Sequence, residues 1–121
     1  MSKQHNAGFL AVVNDAKSRV KELTIAQYQP KPFGVLVDVR EDHEWVKGHL
    51  PNAVHIGRGV LERDIESLYP DKSTTLVLYC GGGFRSALAA DMLQVMGYQD
   101  VYSLDGGYRG WTEAGHAIVQ D

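Results

Sequence analysis

Four short apolar runs, at residues 34–39, 53–56, 75–79 and 101–104, alternate along this chain with segments that can form helices. Their length and their valine, leucine and tyrosine content suit strands buried on both faces. The intervening segments 41–47, 61–69 and 85–96 carry helical patterns, the last with Gly97 just beyond its end as a C-cap. Alternation of this kind predicts an α/β fold with a parallel sheet covered on both sides. Sites in such folds form beyond the carboxyl ends of the strands, where loops enter helices. Three of these ends carry polar or reactive groups: Asp38-Val39-Arg40, Cys80 with the glycines after it, and Asp105-Gly106-Gly107. Ahead of the first strand, from residue 7 to about 21, Phe9, Val13, Ala16 and Val20 recur at helical steps opposite Asn14, Lys17, Ser18 and Lys21. This stripe is expected to lie on the domain as a lid or flank.

At 121 residues, 44% of them hydrophobic, the chain fits one domain with a sizeable core. The net charge of −3 comes from interspersed acidic and basic residues, so no basic face is expected to neutralise the phosphates of a nucleic acid. The continuous apolar run at 9–13 is too short for a signal-peptide core or a membrane span, which makes the cytoplasm the expected location and a membrane an unexpected partner. A single cysteine excludes an internal disulfide, and with the scattered histidines it offers no recognisable metal-ligand set. Neither metal nor organic cofactor is expected. Cys80 is then either a small core residue or a chemical group, and its neighbours decide which.

Those neighbours form a buried strand, Leu76 to Tyr79, then Cys80-Gly81-Gly82-Gly83-Phe84-Arg85, then a helix that begins near Ser86. The order aims the sulfur at a helix N-terminus, where free N–H groups and a partial positive charge favour an anion. Three consecutive glycines permit backbone angles in which successive N–H groups point inward. A thiol so placed is expected to titrate below its free value and to act as a nucleophile. Arg85 adds a permanent charge and a planar fork of donors suited to an oxyanion. A nucleotide-binding phosphate loop is a poor match, because Phe84-Arg85-Ser86 lacks the lysine that such a loop requires.

Four ordered motifs carry a family resemblance. They are Leu36-Val37-Asp38-Val39-Arg40-Glu41 with Glu44, then Gly48-His49-Leu50-Pro51-Asn52-Ala53, then Cys80 to Ser86, then Leu104-Asp105-Gly106-Gly107 with Gly110-Trp111 and Ala114-Gly115. Over about residues 20 to 115 the chain resembles the rhodanese homology domain. The resemblance implies a central five-stranded parallel sheet with helices on both faces, an N-terminal helical extension at 1–19 and the domain proper at 20–121. It implies Cys80 as the sulfur carrier, with Gly81, Gly82, Gly83, Phe84, Arg85 and Ser86 around the substrate, and Asp38 and Arg40 supporting the loop. His49 and Pro51 are expected to shape a turn, Gly106 and Gly107 to let the backbone pass close to the loop, and Trp111 to anchor the core.

The implied activity is sulfur transfer from thiosulfate or a similar small-molecule donor, through a Cys80 persulfide, to an external acceptor such as cyanide, a thiol or a sulfur-accepting protein. The loop has no lysine, so Arg85 is expected to be its only formal charge unless Arg58 or Lys47 reaches in from neighbouring loops. Two rivals use the same parts. A cysteine-dependent phosphatase or arsenate reductase would place five residues between cysteine and arginine, whereas four stand between Cys80 and Arg85, a smaller ring that favours one sulfur over a tetrahedral phosphate. A non-catalytic module that senses sulfur or redox state through Cys80 is the other.

Overall fold

The computed structural model describes residues 5–120. In chain order the elements are α1 (Ala7–Lys17), β1 (Lys21–Leu23), α2 (Ile25–Tyr28), β2 (Val35–Asp38), α3 (Asp42–Trp45), β3 (Val54–His55), α4 (Leu61–Leu68), β4 (Leu76–Tyr79), α5 (Phe84–Val95), β5 (Val101–Leu104) and α6 (Gly107–Glu113). The five strands form one sheet in the order β1-β5-β4-β2-β3, with every neighbouring pair parallel.

Strand β4 sits at the centre of this sheet and is buried from end to end. Side chains alternate between the faces of a strand, and β4 sorts its residues accordingly. Leu76, Leu78 and Cys80 enter one core with Val37 and Val39 of the β2 segment, Leu61 and Ile65 of α4, and Ala89, Ala90 and Leu93 of α5. Val77 and Tyr79 enter the other, with Leu36, Leu104, Tyr28 of α2, Leu50 and Trp111 of α6. Cys80 is thus in phase with the face that α5 covers, which directs its sulfur at the start of that helix. Small residues on α5 let it approach the sheet closely, and removing a leucine such as the fully buried Leu93 would cost roughly 2–5 kcal/mol.

The helix predicted to reach about residue 21 ends at Lys17, and the chain turns through Ser18 and Arg19 into β1. Ser18 Oγ donates to the Asp15 carbonyl at 2.6 Å, and the Arg19 guanidinium reaches Asp91 of α5 at 2.7 and 3.0 Å, fastening this corner. Val13 and Ala16 are the residues by which α1 buries itself, while Val20 reaches the core from the connection rather than from the helix. Strand β1 supplies the fifth strand; it is a three-residue edge whose Lys21 and Glu22 are exposed, so no apolar run announces it. The short α2 is held by a reciprocal cap, with Gln27 N–H donating to Thr24 Oγ1 at 3.1 Å and Thr24 N–H to Gln27 Oε1 at 2.9 Å. Helix α6, with no counterpart among the predicted helices, starts at two consecutive glycines of positive φ, Gly106 (89°) and Gly107 (50°). Among the described residues, no helix is long and apolar enough to cross a membrane.

Candidate active site

The carboxyl ends of β2, β4 and β5 converge on one loop. After Tyr79 the chain leaves the sheet at Cys80, passes Gly81 and Gly82, and enters α5 through Gly83, whose φ of 102° puts it in the region where a side chain would be strained. That conformation turns the Gly83 N–H back onto Cys80 Sγ at 3.2 Å. The Ser86 N–H, in the first turn of α5, reaches the same sulfur at 3.4 Å. Cys80 Sγ lies 3.6 Å from Ser86 Oγ, which in turn shares a 2.8 Å hydrogen bond with the buried Ser103 of β5. Of the three glycines, Gly83 alone has positive φ. Among the described residues, the backbone amides of Gly81, Gly82, Phe84 and Arg85 have no acceptor, so donors remain open beside the sulfur. The donors on the sulfur itself are therefore fewer than the full run of glycines: the Gly83 and Ser86 amides, while the thiol in turn donates to Ser86 Oγ.

The loop is clamped from its far side by α6. Tyr108 N–H donates to the Cys80 carbonyl at 2.8 Å and Arg109 N–H to the Gly81 carbonyl at 2.9 Å. A Cβ on Gly107 would overlap the Cys80 carbonyl, so only glycine permits α6 to start this close. Here lies the role of the Gly106-Gly107 turn.

Asp38 and Arg40 are both buried and do not touch the loop amides. Arg40 lies against the Asp38 carboxylate, with Nη2 to Oδ2 at 2.7 Å, and donates to the Gly48 carbonyl at 2.7 Å. Tyr79 Oη donates to Asp38 Oδ2 at 2.5 Å and accepts from the Leu50 N–H at 3.0 Å. Burial, reinforced by the Asp38 charge, pushes the Tyr79 phenol well above its ordinary range, so it stays protonated as the donor. The Arg40 guanidinium also stacks over the Tyr108 ring, 4.2 Å from its centroid. The pair therefore supports the loop at one remove, through the residue before Cys80 and through the ring of Tyr108.

Arg85 does not present a free fork. Its Nη1 and Nη2 bind the two carboxylate oxygens of Glu44 at 2.8 and 3.1 Å, and Glu44 Oε1 also accepts from the Glu41 N–H at 3.0 Å. The Arg85 hydrogen bond is the main reason the Glu44 carboxyl is lowered to about 2, partial burial opposing it. The same bond, aided by the nearby Cys80 sulfur, raises Arg85 further above its ordinary value. The expectation that Arg85 is the only charge at the loop is corrected on two counts. Glu44 balances it, and the guanidinium of Arg109 lines the same cavity. Neither Arg58 nor Lys47 fills that place. Arg58 is paired with Glu62 at 2.7 Å on α4, and Lys47 lines an adjoining cleft with Gly81 and Arg109.

A cavity of about 550 Å3 opens over Cys80. Its floor is Cys80, Gly81 and Gly82, and its sides are Glu41, His43 and Glu44 around α3, Phe84 and Arg85 at the start of α5, and Arg109 of α6. The last side comes from the N-terminal segment. His5 and Phe9 line the cavity, and the His5 ring lies 4.4 Å from that of Phe84. The sequence pattern singles out none of Glu44, Arg109, His5 or Phe9 for the site. Glu44 was signalled by its place within a quoted motif, Arg109 by its position two residues after the close glycine turn, and the N-terminal pair only by Phe9 heading the helical stripe.

His49 and Pro51 shape the connection before β3. The Ala53 N–H donates to the Leu50 carbonyl at 3.4 Å across Pro51 and Asn52, and Asn52 has φ of 65°, the pattern of a turn with proline in second and asparagine in third position. The His49 ring stacks on Trp45 with centroids 3.6 Å apart. Trp111 is buried on the other face of the sheet and donates from Nε1 to the Ala117 carbonyl at 2.8 Å.

The family model described as the rhodanese-like domain matches residues 16–114. The chain belongs to this family. Its match begins in the last turn of α1, so His5 and Phe9 lie outside the region common to rhodanese-like domains. Over 86 residues the chain is 38% identical to the thiosulfate sulfurtransferase GlpE of Pseudomonas syringae pv. syringae, covering 71% of this chain and 79% of that protein. Over 98 residues it is 32% identical to the tRNA uridine(34) hydroxylase of Erwinia tasmaniensis, but those span 78% of this chain and only 28% of that longer protein. Among solved structures, a Rhodopseudomonas palustris protein described as of unknown function, a possible tyrosine phosphatase, superposes with a TM-score of 0.83 at 31% identity. That superposition covers 98% of this rhodanese-like chain and 99% of the other.

Proposed function

We propose that this rhodanese-like domain is a sulfurtransferase that takes a sulfane sulfur from thiosulfate or a similar donor and passes it, through a persulfide on Cys80, to an external thiol or cyanide. The observation that carries this reading is the sulfur at the floor of the cavity, solvated by the Gly83 and Ser86 amides, with open amides of Gly81, Gly82, Phe84 and Arg85 beside it. Backbone donors that are already in place need no reorganisation when negative charge arrives. The inner amides stabilise the attacking thiolate, and the unpaired ones are the donors left to solvate the outer sulfur of the persulfide anion.

In the first half-reaction the thiolate attacks the sulfane sulfur of thiosulfate. The new S–S bond forms as the bond to the sulfonate breaks, and its electron pair leaves with sulfite, so charge is conserved without a proton. In the second half an acceptor thiolate or cyanide takes the outer sulfur and the bonding electrons return to Cys80. Since the chain has one cysteine, no internal thiol can resolve the persulfide and the acceptor is another molecule.

Steady-state rates with thiosulfate and cyanide test this. Parallel double-reciprocal lines, and loss of activity in Cys80→Ser, are the expected results. Hydrolysis of an aryl phosphate faster than any sulfur transfer would replace the reading with a phosphatase. A protein that binds sulfane donors without turnover would replace it with a sensing module.

A further inference from the structure

Among the described residues Arg109 is the one arginine whose guanidinium has neither a hydrogen-bonded nor an ion-paired partner; Arg19, Arg40, Arg58, Arg63 and Arg85 are all engaged by carboxylates. It is not free to wander from the site. Its own N–H is bonded to the Gly81 carbonyl at 2.9 Å, the preceding N–H holds the Cys80 carbonyl, and its Nη1 lies 3.5 Å from where a Cβ on Gly82 would be. The guanidinium thus stands beside the loop at the mouth of the cavity over Cys80.

The charges lining that cavity make this position matter. Glu41 and Glu44 contribute two negative charges, and Arg85, bound to Glu44 through both of its terminal nitrogens, offsets one of them. Without Arg109 the lining would be net negative and would repel a dianion approaching a thiolate. Arg109 restores the balance and is the guanidinium at the cavity that no carboxylate engages, which suits it to a planar or tetrahedral oxyanion.

We propose that Arg109, rather than Arg85, is the specificity-determining cation of the site, docking the oxyanion end of a small sulfur donor such as a thiosulfate or thiosulfonate while its sulfane sulfur faces Cys80. The inference rests on the sulfurtransferase reading for the identity of the donor but not for the docking of an anion. Arg85 is a positioning residue in this account: with Glu44 it ties the start of α5 to the α3 turn.

Two alkylating agents of equal size, anionic iodoacetate and neutral iodoacetamide, separate docking from catalysis. In Arg109→Gln the ratio of Cys80 alkylation rates, iodoacetate over iodoacetamide, is expected to fall about tenfold, the scale of one lost charge-assisted contact. Arg109→Lys should keep most of the ratio. Arg109 is exposed and its side chain holds nothing else in place, so the variants fold like the parent. With thiosulfate as donor, Arg109→Gln should raise KM about tenfold, leave kcat nearly unchanged and flatten the dependence of kcat/KM on ionic strength. An unchanged alkylation ratio together with an unchanged KM would overturn the proposal. A ratio that responds to Arg109 in a protein that never forms a persulfide would keep the anion dock and remove the sulfurtransferase reading.

Discussion

Replacing Glu44 by glutamine removes a charge while keeping an oxygen that can still accept from the Glu41 N–H, so it isolates the ion pair with Arg85. A carboxyl held at about 2 instead of 4.5 corresponds to at most roughly 3–4 kcal/mol of preference of the folded state for the charged form, at about 1.4 kcal/mol per pH unit. The Arg85 and Glu44 side chains are 33% and 27% exposed, and water screens them, which brings the expected cost of Glu44→Gln at neutral pH to about 1–2 kcal/mol. A carboxyl lowered on folding stabilises fully above its unfolded value and loses that contribution as pH falls from 4.5 towards 2. Urea titrations of the parent and the variant, monitored by tryptophan fluorescence, should show a gap at pH 7 that shrinks through this window and nearly closes at pH 2. A gap that is the same at pH 7 and pH 2.5 would refute the assignment of that stability to the Glu44 charge.

Two further predictions separate residues that look alike in sequence. Gly83→Ala forces a side chain into φ of 102° and against the Gly106 nitrogen, and should cost about 1–2 kcal/mol and slow persulfide formation, whereas Gly82→Ala meets only ordinary contacts and should be close to neutral by thermal melting. Tyr79→Phe leaves the buried Leu50 N–H without its acceptor and takes one donor from Asp38, for a loss of about 2–3 kcal/mol, or roughly 10 °C in melting temperature; a shift below about 2 °C would mean that this hydroxyl does not brace the loop.

The parts of the fold that are apolar and long were legible in the sequence. Strand β5 falls on the run 101–104, and β4 and α5 lie within a residue or so of the predicted runs, because burial on both faces of the strands and helical spacing on α5 leave a one-dimensional trace. Strand β1 left none, since an edge strand of Lys21, Glu22 and Leu23 is paired on one side by β5 and wet on the other. Helix α6 was hidden by its glycines. Gly106 and Gly107 read as a turn, and only the acceptance of the Tyr108 and Arg109 amides by the Cys80 and Gly81 carbonyls shows that the turn begins a helix docked on the loop. In the site, the strand–Cys–glycine–helix order located the sulfur and its amides. Charge pairing was not legible in the same way. Arg85 and Glu44 stand 41 residues apart, and which of the arginines remains unpartnered depends on contacts that no local pattern encodes.

Intact-protein mass spectrometry reads whether the loop holds one additional sulfur on Cys80. After incubation with thiosulfate and desalting, the chain should gain the mass of a single sulfur atom, localised to the peptide containing Cys80 and removed by cyanide as thiocyanate. A chain that returns at its original mass, with Cys80 fully open to alkylation after the same treatment, would mean that Cys80 does not carry a persulfide.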